Sequence, residues 1–220
     1  MKDDDLLETA SQNFKKDLQR VPGITQEFLK GFYFFRNKHN IVTVFGSARL
    51  TEESPWYQTA TKMGSLLADS GISVMTGGGP GIMEAVNRGA FTTNKNVLSI
   101  GVNIELEHEQ HPNPYLTHTI HFNHFFARKV MLVKYSFGFV IFPGGFGTLD
   151  ELAETITLIQ TQKLHNFPLV LVGKKFWGGF YDWVQQTMLL EKVISQQDLD
   201  LIHLCDTPEE ALDHIRAFKP

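Results

Sequence analysis

The sequence predicts an α/β chain: a doubly wound parallel sheet flanked by helices, with an N-terminal helical extension. Three observations carry this expectation. Short apolar runs alternate with longer helical patterns, which places helices on both faces of a parallel sheet. Two of the runs end in glycine-rich turns that open a helix, Thr76-Gly77-Gly78-Gly79-Pro80-Gly81 and Pro143-Gly144-Gly145-Phe146-Gly147-Thr148. The chain has 220 residues, 42% apolar and 20% charged, the size and balance of one globular domain with a buried core.

Residues 1–40 read as the extension. Leu6, Leu7, Ala10, Phe14 and Leu18 recur at spacings of three and four, as in an amphipathic helix. Val21-Pro22-Gly23 breaks it, and a second helix runs from Thr25 to about Arg36. A single domain then spans 41–220. Its first strand is Ile41 to Phe45, ending in Gly46-Ser47-Ala48-Arg49, a small-residue turn where open α/β sheets hold ligands. A helix follows from Trp56 to Ser70, with Pro55 suited to the first helical position. The next strand, Ile72 to Met75, leads through the first glycine-rich turn into a helix from Ile82 to about Phe91.

Val97 to Asn103 and His118 to Phe122 are strands, separated by a polar loop. The helix His124 to Lys134 is apolar except where Arg128 and Lys129 interrupt it. That pair fits either a snorkelling surface pair or cations aimed at a site. Phe137 to Phe142 is a buried strand, and the second glycine-rich turn follows, with a helix starting near Thr148. Later elements are a strand at Pro168 to Val172, a helix from Trp177 to Leu190, a short polar helix at Ser195 to Asp200, a strand at Leu201 to Cys205 and a capped helix from Thr207 to Phe218.

Composition narrows the function. A net charge of −4 with no basic block argues against a nucleic-acid surface. A single cysteine, Cys205, excludes an internal disulfide and fits a reducing cytoplasm. Its apolar neighbours make it a buried small hydrophobe rather than a nucleophile. No run approaches the ~18 apolar residues of a membrane span. The acidic start, Met1-Lys2-Asp3-Asp4-Asp5, lacks a signal-peptide core, so the expected location is the cytoplasm. Five histidines lie between His108 and His124, but their spacing matches no zinc pattern, and neither a metal nor a cofactor is expected.

The chemistry concentrates at the second glycine turn. Glycines between a strand and a helix let backbone approach a ligand, and the helix start presents free N–H groups and the positive dipole end. A phosphate suits that position. Glu151 lies one turn in, and a carboxylate is a poor phosphate ligand, so it points to chemistry on the rest of the ligand. The other turns supply further candidates: Ser47 after the first strand, and Gly78 and Gly79 after the second. Glu84, in the first turn of its helix, fits a site role and a favourable placement at the helix dipole equally well.

Pro143-Gly144-Gly145-Phe146-Gly147-Thr148-Leu149-Asp150-Glu151 resembles the PGGxGTxxE signature of the LONELY GUY (LOG) family. Arg128-Lys129, followed by Met131, is similar to that family's second signature, and the likeness extends over about residues 41–215. The resemblance implies a Rossmann-like fold and a nucleoside 5′-monophosphate phosphoribohydrolase, which releases free base and ribose 5-phosphate. AMP and cytokinin ribotides are the substrates it implies, and a homodimer or higher homo-oligomer the assembly. It places the catalytic pair on Arg128 and Glu151 and the phosphate loop on Gly144, Gly145, Gly147 and Thr148, with Lys129 alongside. It places substrate-contacting residues on Glu109 and Thr157. Plant members lack the 40-residue extension and a residue like Glu84. The competing expectations are a molybdenum-cofactor-carrier-like binding protein, which needs no Arg128/Glu151 pair, and a nucleotide sensor.

Overall fold

The computed structural model describes residues 14–93, 96–105 and 111–218. Seven strands form one wholly parallel sheet: β1 (Ile41–Phe45), β2 (Ser73–Thr76), β3 (Ser99–Ile104), β4 (His118–Phe122), β5 (Gly138–Ile141), β6 (Leu169–Val172) and β7 (His203–Cys205). Their spatial order is β4-β3-β2-β1-β5-β6-β7. The chain winds outward from β1 to β4, returns to the centre at β5 and winds out the other way. The reversal falls between β1 and β5, whose carboxyl ends therefore open a crevice.

β1, β2, β5 and β6 are buried at every position, as expected of strands covered on both faces. On one face lie α2 (Pro55–Asp69), α3 (Ile82–Thr93) and α8 (Pro208–Ala217), packed through Tyr57, Met63, Leu67, Ile82, Val86 and Ile215. On the other lie α1 (Phe14–Phe35), α4 (Phe125–Lys134), α5 (Phe146–Gln160) and α6 (Lys174–Trp183), packed through Phe35, Met131, Leu132, Leu152 and Trp177. A short α7 (Gln196–Leu199) precedes β7 and carries a capping box between Ser195 and Asp198. Cys205 is buried, and burial pushes its thiol up to about 12, so it is chemically quiet. No helix among the described residues is long and apolar enough to cross a membrane.

Three local expectations are corrected. The break at Val21-Pro22-Gly23 does not occur: α1 runs through Pro22 without interruption. Proline removes one helical donor, but the carbonyl it leaves without a partner belongs to Leu18, an exposed residue that water reaches. The long helix expected from Trp177 to Leu190 starts earlier, at Lys174, and passes into a π-helical stretch at Val184–Leu189. The helix at the second glycine turn starts at Phe146 rather than near Thr148, because Gly145 already stands as its N-cap.

Candidate functional site

The crevice at the β1/β5 reversal holds a cavity of about 630 Å³. Three strand-to-helix turns meet there and are tied by backbone hydrogen bonds. Ser47 N–H donates to Pro143 O at 3.0 Å, and Ile82 N–H, at the start of α3, donates to Ser47 O at 3.0 Å. Close approach of the turns requires small residues. A Cβ on Gly46 would lie 2.5 Å from Ile82 Cγ2, and one on Gly81, whose φ is +72°, would run into the Ser47 carbonyl.

The head of α5 forms one wall through Gly145, Phe146, Gly147 and Thr148. Gly145 O accepts from both Thr148 N–H and Leu149 N–H at 3.0 Å. No side chain caps this helix, so its first-turn amides and dipole face the cavity. A Cβ built on Gly145 or Gly147 would meet nothing within 4 Å. The fold itself does not require glycine at either position, and the missing side chains leave room for a ligand. Gly144 lies behind this wall, where a Cβ would strike Thr148 Oγ1.

Glu151 and Arg128 both line the cavity, close enough for their charges to interact. Glu151 is 6% exposed, and its Oε2 is buried without a hydrogen-bond partner. Burial pushes its carboxyl up to about 7, against the opposing pull of the Lys129 and Arg128 charges. Arg128 Nε donates to Val102 O at 2.7 Å. Its guanidinium occupies space that a side chain on Gly77 would fill. Burial pulls the Arg128 pKa down while the Glu151 charge raises it, and an arginine stays cationic under that pull. The cavity thus offers the first-turn backbone amides of α5, two arginines, Arg128 and Arg49, and one carboxylate that burial pushes up to about 7.

The remaining candidates separate. Ser47 lines the cavity, whereas Gly78 and Gly79 lie outside the lining. Gly78, at φ +74°, abuts the Asn103 carboxamide, and Gly79 O accepts from Asn113 Nδ2 at 3.1 Å. Lys129 points away from the cavity and bridges Asp150 at 2.9 Å and Glu154 at 2.8 Å on α5. Burial pulls its ammonium down, but hydrogen bonds to Glu154 and Asp150 outweigh this and raise it. Glu84 accepts a hydrogen bond from Tyr57 Oη at 3.2 Å, toward α2 rather than the cavity. Thr157 is exposed and its hydroxyl donates to Ala153 O at 2.8 Å within α5. Glu109, like His108, lies outside the described residues. His124 lies against Glu27, and His118 Nδ1 is 3.0 Å from Thr117 Oγ1. Among the described residues no group of three or more His, Cys, Asp or Glu is placed to hold a metal.

Sequence reasoning missed Asn103, Phe45, Arg49, Met83, Phe125 and Phe146, all of which line the cavity. Asn103 had a legible signal: a polar residue near the end of an apolar strand, at the edge where parallel sheets bind ligands. Its Oδ1 accepts from Thr119 Oγ1 at 3.1 Å. Phe146 had none, since an aromatic at 91% exposure follows no burial pattern.

A family model described as "Possible lysine decarboxylase" matches residues 83–215. The chain is 25% identical over 198 residues to the cytokinin riboside 5′-monophosphate phosphoribohydrolase LOG3 of Arabidopsis thaliana, covering 87% of this chain and 89% of the relative. It is 30% identical over 150 residues to the pyrimidine/purine nucleotide 5′-monophosphate nucleosidase of Escherichia coli strain K12, covering 64% of this chain and 33% of that longer protein. The fold matches the molybdenum cofactor binding protein of the phototrophic bacterium Rippkaea orientalis at a TM-score of 0.60 and 22% identity, covering 82% of this chain and 98% of that one. With the family model spanning more than half of its residues, and the signature glycines and Glu151 around one cavity, the chain belongs to the LOG family.

Proposed function

We propose that the chain hydrolyses the N-glycosidic bond of a purine nucleoside 5′-monophosphate, AMP-like or a cytokinin riboside monophosphate, to free base and ribose 5-phosphate. The observation that carries this is the unpaired, buried carboxylate of Glu151 on the same helix whose open N-terminus faces the cavity. The 5′-phosphate sits on the amides of Phe146 and Gly147. Glu151 lies five residues into α5, roughly 7.5 Å along the axis. Its Cα–Cβ bond tilts back toward the helix start. That spacing supports a carboxylate near C1′ of a ribose whose phosphate is held at the helix head.

Breaking the C1′–N bond sends its electron pair to the base and leaves an oxocarbenium-like sugar. The Glu151 carboxylate stabilises that positive charge and takes a proton from the water that adds to C1′; the departing base takes up one proton from solvent and Glu151 returns its own to solvent, so neutral base and ribose 5-phosphate result. Arg128 fixes the ribose or phosphate and favours the ionised form of Glu151. Phosphate binding is remote from the bond that breaks and contributes positioning. Exposed Phe125, Phe126 and Val130 on α4 support association with a second copy, which sedimentation would read as a homodimer or higher oligomer.

The test is base release followed by chromatography, with AMP, GMP, IMP, CMP, UMP and isopentenyladenosine monophosphate, and adenosine as the phosphate-free control. Base is expected from at least one purine monophosphate and little from adenosine. Because Glu151 acts ionised, kcat/KM should fall about tenfold per pH unit below an apparent pKa near 7. Tight nucleotide binding with no base released would favour a carrier or sensor and reduce Glu151 to a structural carboxylate.

A further inference from the structure

We infer that Glu27, on the N-terminal helix, is a positioning residue for this site, because it caps the helix that carries Arg128; the inference rests on the functional reading above. α4 starts without a cap of its own, since its N-cap residue His124 makes no side-chain capping bond. The cap comes from a carboxylate far upstream. Glu27 Oε1 accepts from Asn123 N–H at 2.8 Å and from Asn123 Nδ2 at 2.6 Å. Glu27 Oε2 accepts from His124 N–H at 3.3 Å and lies 3.1 Å from His124 Nδ1. Glu27 and His124 are 7% and 4% exposed, so this is an interior contact and not a surface pair.

The placement is chemically consistent. Burial pushes the Glu27 carboxyl up, but hydrogen bonds from Asn123 and His124 outweigh it and hold the carboxyl below its usual range. The group is therefore an anion at neutral pH, set at the positive end of the α4 dipole, where it accepts from the backbone of the two residues that lead into the helix. Two neighbouring contacts dock α1, the helix of Glu27, against β4 and α4. Lys30 Nζ donates to His121 O at 2.8 Å. Gly31 lies so close to Met131 of α4 that a Cβ would come 2.6 Å from its Sδ.

The consequence reaches the cavity through α4. That helix delivers Phe125 and Arg128 to the lining, and Arg128 is already tied to Val102 O at 2.7 Å. A shift at the head of α4 moves the guanidinium relative to Glu151, and misplacement by about 1 Å can cost on the order of 100-fold in rate. The second half of α1 is thus part of the frame of the site, through Glu27 at the head of α4 and Gly31 against Met131.

The experiment compares Glu27→Gln, Glu27→Asp and Lys30→Met in the full chain. Each variant is assayed for kcat and KM with AMP, and the Arg128 Nε–H resonance is followed by NMR. Glu27→Gln removes the charge and one acceptor. It is expected to lower kcat about tenfold, with KM changed less than about threefold, and to shift or broaden the Arg128 signal. Glu27→Asp should recover part of both effects, and Lys30→Met should leave both near wild type. Wild-type kcat with an unmoved Arg128 signal in Glu27→Gln overturns the inference. So does an equal loss in Lys30→Met, which would assign the effect to helix docking in general. If Glu27→Gln does not fold, the Glu27→Asp comparison decides: a shifted Arg128 signal supports the cap and an unmoved one overturns it. If wild-type protein releases no base, the functional reading fails, and the NMR comparison still decides whether Glu27 positions Arg128.

Discussion

In the turn after β2, the protein itself fills the space around the glycines. Gly77 makes room for Arg128, Gly78 adopts φ +74° against Asn103, and Gly81 adopts φ +72° against the Ser47 backbone. In the turn after β5, Gly145 and Gly147 have no neighbour where a Cβ would stand and border open cavity. The carboxylates that follow the two turns divide the same way. Glu84 is hydrogen-bonded by Tyr57, whereas Glu151 keeps a buried oxygen with no partner. Two glycine turns that look alike in one dimension therefore have different uses. One assembles the wall, and the other leaves a place for something the chain does not contain.

The largest expected effect tests the carboxylates. Glu151→Gln should reduce base release about 1,000-fold, within the usual range for a general acid–base residue, while Glu84→Gln stays within about threefold of wild type. Equal losses in the two variants, measured by steady-state kinetics, would erase the contrast. The glycines come next. Gly147→Ala, at a helical position with free space, should stabilise the fold by about 0.5–1 kcal/mol yet weaken nucleotide binding at least tenfold by calorimetry. Gly81→Ala should instead lower the unfolding free energy by roughly 1–3 kcal/mol, because it combines a left-handed φ with a backbone collision.

A further effect is the pH dependence of stability. The folded pKa of Glu151 is raised to about 7 from an ordinary 4.5. Its contribution is thus fully present below pH 4.5 and lost as pH rises through 7. Glu151→Gln removes that penalty, which is on the order of 3 kcal/mol at most. The thermal midpoint of the variant should exceed wild type by several degrees at pH 8 and match it at pH 4.5. A pH-independent difference would mean that Glu151 is not held against its burial.

Much of the architecture was legible before any coordinates. The strands at Ile41–Phe45 and His118–Phe122 have the bounds their apolar runs predict, and Ser54-Pro55 opens α2 with a cap and a first-turn proline. Burial of Cys205 followed from its apolar neighbours. Errors came where local rules meet long-range contacts. Pro22 reads as a helix stop, yet α1 runs through it, held at Glu27 by Asn123 and His124 between β4 and α4, at Lys30 by His121 of β4 and at Gly31 against Met131 of α4. Arg128 and Lys129 are adjacent and chemically similar, but successive helix positions point about 100° apart. One enters the cavity and the other pairs with Asp150 and Glu154.

The alternation of strands and helices, the places where the backbone turns tightly and the glycine-rich helix head are written in the order of residues alone. Those properties depend on the periodicity and on the φ/ψ freedom of neighbouring residues, so they can be read along the chain. Which of two glycine turns is left open, which of two carboxylates keeps a buried oxygen without a partner, and what caps the helix of Arg128 emerge only from packing. Each of those depends on burial and pairing between segments up to 97 residues apart, here Glu27 and His124, and no local pattern records them.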